Sequence, residues 1–285
     1  MKKDQKGFST VEAIIIIVVL GIVGFAGWRV LGSKNANQSV TNGGTPTSDQ
    51  NQTTSKSTTA EQLIWQQTDG GWQSTSTPPT CSQPIAKMPV DISKITSVLY
   101  PGQTRGGNYK PHGGFRFDTI KDNKITMTAP FDGFLVRGAR YIAEGEIQYT
   151  FDAMNNCGIM FRVGHIRELP ANLQKIADTW PEATASSATQ SINPAVLVKQ
   201  GEVMGIKVGI TASSNTFFDM GIYDYRQTNE ASKSQTYQTA HAEDKELSWH
   251  AVCWLKDWLP ANDAAALAKL PAGDPASGKS SDYCK

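Results

Sequence analysis

Residues Gly133–Ile166 read GFLVRGARYIAEGEIQYTFDAMNNCGIMFRVGHI. Three runs rich in β-branched and aromatic residues, GFLVRGARYI, EIQYTFDA and CGIMFRVGHI, follow one another here. Such side chains pack well on a pleated surface, and glycine and aspartate at the run ends suit tight turns. The stretch therefore predicts consecutive β-strands, and the rest of the chain is read outward from it.

KITSVLY, FRFDTI and KITMTA come before this stretch, and AVLVKQGEVMGIKVGI and FFDMGIYDY come after it. All are strand-like runs bounded by Gly, Pro or Asp. LIWQQTDGGW adds a short apolar piece ahead of Cys81. Many short strands with Gly-rich turns predict a mainly β domain of sandwich or barrel-like build. One helical insertion is expected, because Leu169, Leu173, Ile176 and Trp180 recur at helical spacing and Pro181 stops the pattern. PEATASSATQSIN after it reads as a loop, and NDAAALAKL as a second short helix capped by Asn262 or Asp263. The folded part divides into a lead-in (61–99), a β domain (100–226) and a C-terminal extension (227–285).

The chain has 285 residues and 39% hydrophobic content, enough for one large or two small domains after an N-terminal tail is set aside. A net charge of +1 without a basic block leaves no nucleic-acid footprint. Cys81, Cys157, Cys253 and Cys284 form no C-x-x-C pair, so zinc-ribbon spacing is lacking; in an exported chain they would form disulfides. Cys253 and Cys284 both lie in the extension, which has little sheet to hold it, and are paired on that ground. Cys81 then pairs with Cys157.

The N-terminus predicts export. Lys2, Lys3 and Lys6 precede an apolar run, which by the positive-inside rule leaves the amino end in the cytoplasm. Ala13 to Trp28 spans about 24 Å as a helix, and Arg29 can snorkel to extend it toward the ~30 Å hydrocarbon core. Glu12 stands at the mouth of this run, where an ionised carboxylate costs roughly 2.5–3.5 kcal/mol. Residues 32–60 are almost wholly Ser, Thr, Asn, Gln and Gly; they cannot bury enough surface to offset ordering entropy and read as a flexible linker.

KGFSTVE (Lys6–Glu12) resembles the type IV prepilin signal: a basic leader ending in Gly, then Phe, with Glu at the fifth mature position. The resemblance implies cleavage between Gly7 and Phe8, methylation of the Phe8 amine and pairing of Glu12 with a neighbouring subunit's amine. A paired carboxylate is far less costly in lipid. It implies a leader (1–7), a pilin-like transmembrane helix (8–31), a single-pass location with an extracellular C-terminal domain, and pilus or pseudopilus subunits as partners. The break at Gly32–Ser33 departs from a major pilin and suits a minor pilin, a pseudopilin or a tether.

KPHGGFRFD, TAPFDGFLVRGA, IMFRVGHIREL, VLVKQGEVMGIKVG and FFDMGIYD resemble, in that order, the lysostaphin/LytM-type zinc endopeptidases that cut peptidoglycan cross-bridges. The resemblance covers about Tyr100 to Asp224 and implies their duplicated hybrid β-motif. It places His112 at the first zinc ligand, Arg116 where the ligand Asp belongs, Gly221 where the last ligand His belongs, and His165 at a base position. Asp118, two residues from Arg116 on the same strand face, and Asp219 keep carboxylates nearby. A catalytic zinc requires three protein ligands and an open position, and a guanidinium repels the ion.

Two functions follow. The first is a non-catalytic module: a pilin-like surface protein whose degenerate head binds wall peptidoglycan or a surface protein without a cofactor. Its cleft would be formed by His112, Arg116, Asp118, His165 and Asp219, with His165 a catalytic relic. The second is a membrane-tethered zinc endopeptidase with ligands His112, Asp118 and Asp219. Plainer readings stand beside these: Arg116 and Asp118 as a simple ion pair, His241 and His250 as rim or core residues, and Trp249, Trp254 and Trp258 as packing.

Overall fold

The computed structural model describes residues 62–82 and 85–284. The expected leader, pilin-like helix and linker, and with them Gly7, Phe8 and Glu12, lie outside those residues. Among the described residues no helix is long and apolar enough to cross a membrane.

The fold is mainly β. A hairpin of β1 (Trp65–Thr68) and β2 (Gly71–Ser74) leads in, followed by β3 (Ser97–Leu99), the hairpin β4 (Gln103–Arg105) and β5 (Asn108–Lys110), β6 (Gly113–Arg116) and β7 (Lys124–Thr128). The opening stretch of sequence forms β8 (Gly133–Ala143), β9 (Glu146–Met154) and β10 (Ile159–Glu168). Helix α1 (Ala171–Ala177) comes next, then β11 (Gln190–Val198), β12 (Val203–Val208) and β13 (Phe217–Asp224). Short helices α2 (Gln235–Ala240), α3 (Lys245–Ser248), α4 (Trp254–Asp257) and α5 (Ala261–Lys269) end the chain.

Nine strands form one sheet in the order β11-β8-β9-β10-β13-β6-β3, with β12 joining β10 to β7. Every pairing in it is antiparallel. The sheet forks along β10. That strand pairs with β13 through Gly164 and with β12 from Ile166 onward. His165 lies between the two pairings with a left-handed φ of +58°. A bulge at this point bends the strand and re-aims the side chain.

Alternation sorts the sheet into two faces. Phe151, Phe161, Val163, Phe218, Met220 and Ile222 point into the main core. Met154, Met160 and Tyr223 belong to a smaller cluster with Trp65 and Ala251. Asp152, Arg162 and Asp219 alternate with main-core residues, so period two puts them on the second face.

Three expectations need correction. AVLVKQGEVMGIKVGI is two strands, split where Asp132 accepts from the Gln200 backbone N–H and Lys199 Nζ, both at 2.8 Å. β11 begins at Gln190, inside the expected loop. Helix α5 starts at Ala261, directly after Pro260, with no side-chain cap; Asn262 and Asp263 lie inside its first turn, so neither caps it. The described parts of the lead-in, the β domain and the extension also lie in one compact unit. The extension supplies Trp254, fully buried and edge-on to Phe115 at 5.6 Å. Its 271–273 segment bonds to Val98 at the β3 edge. Disulfides join Cys81 to Cys157 and Cys253 to Cys284.

Candidate functional site

His112, His165 and Asp219 meet in a cleft of about 740 Å3. β6 carries His112 there by passing so close to β13 that a Cβ on Gly114 would lie 2.2 Å from the Phe218 carbonyl oxygen. Arg105 fixes the approach by donating to the carbonyls of Tyr100 at 2.5 Å and His112 at 3.1 Å. The bulge of β10 supplies His165, and β13 supplies Asp219.

Asp219 Oδ2 sits 3.1 Å from His112 Nε2 and 3.4 Å from His165 Nε2. These are ion-pair distances; His112 Nε2 lies off the line of a hydrogen bond. Burial alone would raise the Asp219 carboxyl, but the two imidazoles outweigh it and hold Asp219 well below the usual carboxylate range. Burial pushes His112 down despite the attraction of Asp219. At neutral pH the site therefore holds an ionised carboxylate beside a neutral His112 imidazole.

Beside it lies a set of charges that sequence reasoning missed. Asp152, fully buried, takes Arg137 at 2.9 Å and Arg162 Nε at 3.1 Å. Arg137 also reaches Glu246 at 2.7 Å and lies over the Trp72 ring, 5.5 Å from its centroid. Glu246 accepts further bonds from Trp72, Gln67 and Tyr225. The signal for this set was present as lone charges inside otherwise apolar runs: Arg137 in GFLVRGA, Asp152 in YTFDAM and Arg162 in IMFRV. A charge in a buried strand needs a partner.

Arg116 and Asp118 do not join the cleft lining. Asp118 accepts from Arg116 at 3.0 Å and from Thr96 at 2.7 Å. His241 stacks on Tyr109 at 3.7 Å, and His250 Nδ1 bonds the Gln227 carbonyl at 2.7 Å. Trp258 packs against the main core.

The residues present do not fit the zinc site that the endopeptidase resemblance implies. A guanidinium occupies position 116 and is neutralised by Asp118. Gly221 has no ligand atom, and a Cβ there would lie 2.4 Å from the Tyr223 hydroxyl, so an imidazole would have to displace that ring. Asp118 is committed to Thr96 and Arg116 rather than facing His112. Among the described residues no three His, Cys, Asp or Glu side chains are disposed to hold a metal ion.

At the lip, burial pushes Asp244 up to about 6, outweighing the opposing pull of Arg162. A carboxyl with a raised folded-state value binds more protons folded than unfolded between about 4 and 6, so its penalty grows as pH rises through that window and is complete above it. Asp244→Asn is expected to stabilise the protein by on the order of 1–3 kcal/mol at pH 8 and far less at pH 4. Thermal melts of both proteins across this range check it; an advantage independent of pH contradicts the assignment.

Comparison of the chain with protein-family models, curated proteins and solved structures returns no match.

Proposed function

We propose that this is a pilin-like, membrane-anchored surface protein whose head binds cell-wall peptidoglycan without cleaving it. One observation carries the reading. The endopeptidase-like cleft keeps His112 and His165, while Arg116 and Gly221 stand where two of three zinc ligands belong. The forked antiparallel sheet supports the finer fold assignment, a degenerate copy of the duplicated hybrid β-motif. Asp219 strengthens the non-catalytic reading. Its carboxylate engages both imidazoles, where an open metal would have to compete for the same atoms. The anchor rests on KGFSTVE and the apolar run after it, with the Ser/Thr/Asn linker as the spacer that lets the head reach the wall.

Full-length protein in detergent is expected to co-sediment with purified peptidoglycan sacculi, to carry far less than one zinc per chain after chelator-free purification, and to release no wall fragments. Mass spectrometry of the same membrane-derived material is expected to find Phe8 as the first residue. Stoichiometric zinc together with wall cleavage that is lost in His112→Ala would establish the zinc endopeptidase instead. An intact Met1 would remove the pilin-type processing.

A further inference from the structure

Four residues on the second face of the sheet form a checkerboard. In the β10–β13 register Arg162 faces Gly221, and Gly164 faces Asp219. The two charged residues are thus diagonal neighbours, about 7–8 Å apart at Cα. The Tyr223 ring lies against Gly221 and the Thr150 hydroxyl against Gly164, so these two side chains form the floor between them.

Opposite charges so placed would ordinarily close on each other, and here both are held apart. Asp152 draws Arg162 by its Nε. Among the described residues the terminal amino groups of Arg162 form no hydrogen bond, and its side chain, 18% exposed, lines the cleft. The two imidazoles hold Asp219 through Oδ2, and neither contact uses Oδ1. The cleft therefore presents a forked donor and an anionic acceptor side by side, each oriented by partners behind it. A guanidinium fork matches a carboxylate by two parallel hydrogen bonds, and a carboxylate acceptor matches an ammonium.

We infer that the cleft recognises a free α-amino carboxylate head, with Arg162 binding the carboxylate and Asp219 the ammonium. A forked donor beside an anionic acceptor favours this ligand over a simple anion or cation. Asp219 repels a bare carboxylate, and Arg162 repels a bare ammonium. The remaining charged lining is Lys110, Arg137, Glu243, Asp244 and Glu246, of which Arg137 and Glu246 neutralise each other. The inference rests on the wall-binding reading for the setting in which the head is met, a stem peptide whose third residue is a diamino acid with one centre unlinked.

Calorimetry on the full chain in detergent tests it with two probes, L-Ala-γ-D-Glu-meso-diaminopimelate and L-Ala-γ-D-Glu-L-Lys. The second keeps the ammonium and lacks the distal carboxylate. The expected result is at least tenfold tighter binding of the first. Arg162→Lys, which keeps a charge for Asp152 but loses the fork, should reduce that preference to threefold or less. Asp219→Asn, nearly isosteric, should weaken the diaminopimelate peptide at least tenfold. Equal affinity for the two peptides, or a preference that survives both substitutions, overturns the inference. Retention on sacculi without peptide discrimination defeats this inference and leaves the wall-binding reading standing. Discrimination without retention on sacculi supports the inference and removes that reading.

Discussion

Asp152→Ala is expected to destabilise the protein by about 3–5 kcal/mol, the usual cost of removing one partner from a buried ion pair. Asp152 is fully buried between Arg137 and Arg162. Removing it leaves Arg162 with no ion pair among the described residues, only the longer-range attraction of Asp244, and leaves Arg137, 9% exposed, with Glu246 alone. Two guanidiniums then face each other across the β8–β9–β10 ladder, where Asp152 pairs in register with both Arg137 and Arg162. Urea unfolding of wild type and variant measures the loss. Asp118→Ala is the control, because its pair with Arg116 is half exposed and such pairs contribute about 0–1 kcal/mol. A loss at Asp152 no larger than at Asp118 would mean that water reaches the guanidiniums and that the buried network is energetically idle.

Removing the Cys81–Cys157 bridge by a double substitution to serine is expected to cost about 4–5 kcal/mol in the chain-entropy account. The bridge closes a separation of 76 residues, against 31 for Cys253–Cys284. The shorter loop predicts a smaller loss, roughly 3.5–4 kcal/mol. Part of the tie between the lead-in and the β9–β10 turn survives without sulfur. Asn156 accepts from the Ile64 backbone N–H and, through its carbonyl, from Trp65 Nε1, both at 3.0 Å. The predicted order is therefore the informative quantity. Unfolding midpoints of the two double-serine variants check it, and a larger loss from the shorter loop would show that local packing outweighs chain entropy here.

Much of the β architecture was legible in single runs of sequence. GFLVRGARYI, EIQYTFDA and CGIMFRVGHI became β8, β9 and β10 because apolar content and turn residues act locally. The helical insertion was legible only in part: α1 spans Ala171–Ala177, starting after Pro170, so Leu173 and Ile176 belong to it while Leu169, Trp180 and Pro181 flank it. The cap of α5 was misassigned because Pro260 and the aspartate and asparagine after it offer competing starts within three residues. The interior of the site was not legible in this way. Arg137, Asp152 and Arg162 each appeared as a lone charge in an apolar run, and nothing local states which strand will face which.

By itself the sequence determined the element types, the alternation that puts Arg162 and Asp219 on faces opposite to their apolar neighbours, and the presence of His112, His165 and Asp219. Tertiary structure alone decided the register that sets Arg162 against Gly221, the bulge that turns His165 toward Asp219, and the exclusion of Arg116 and Asp118 from the cleft. The physical reason is range. Side-chain chemistry and period are properties of a few adjacent residues, whereas register is set by hydrogen bonds between strands separated by some 60 residues in the chain. A shift of one residue in that register would send every one of these side chains to the other face.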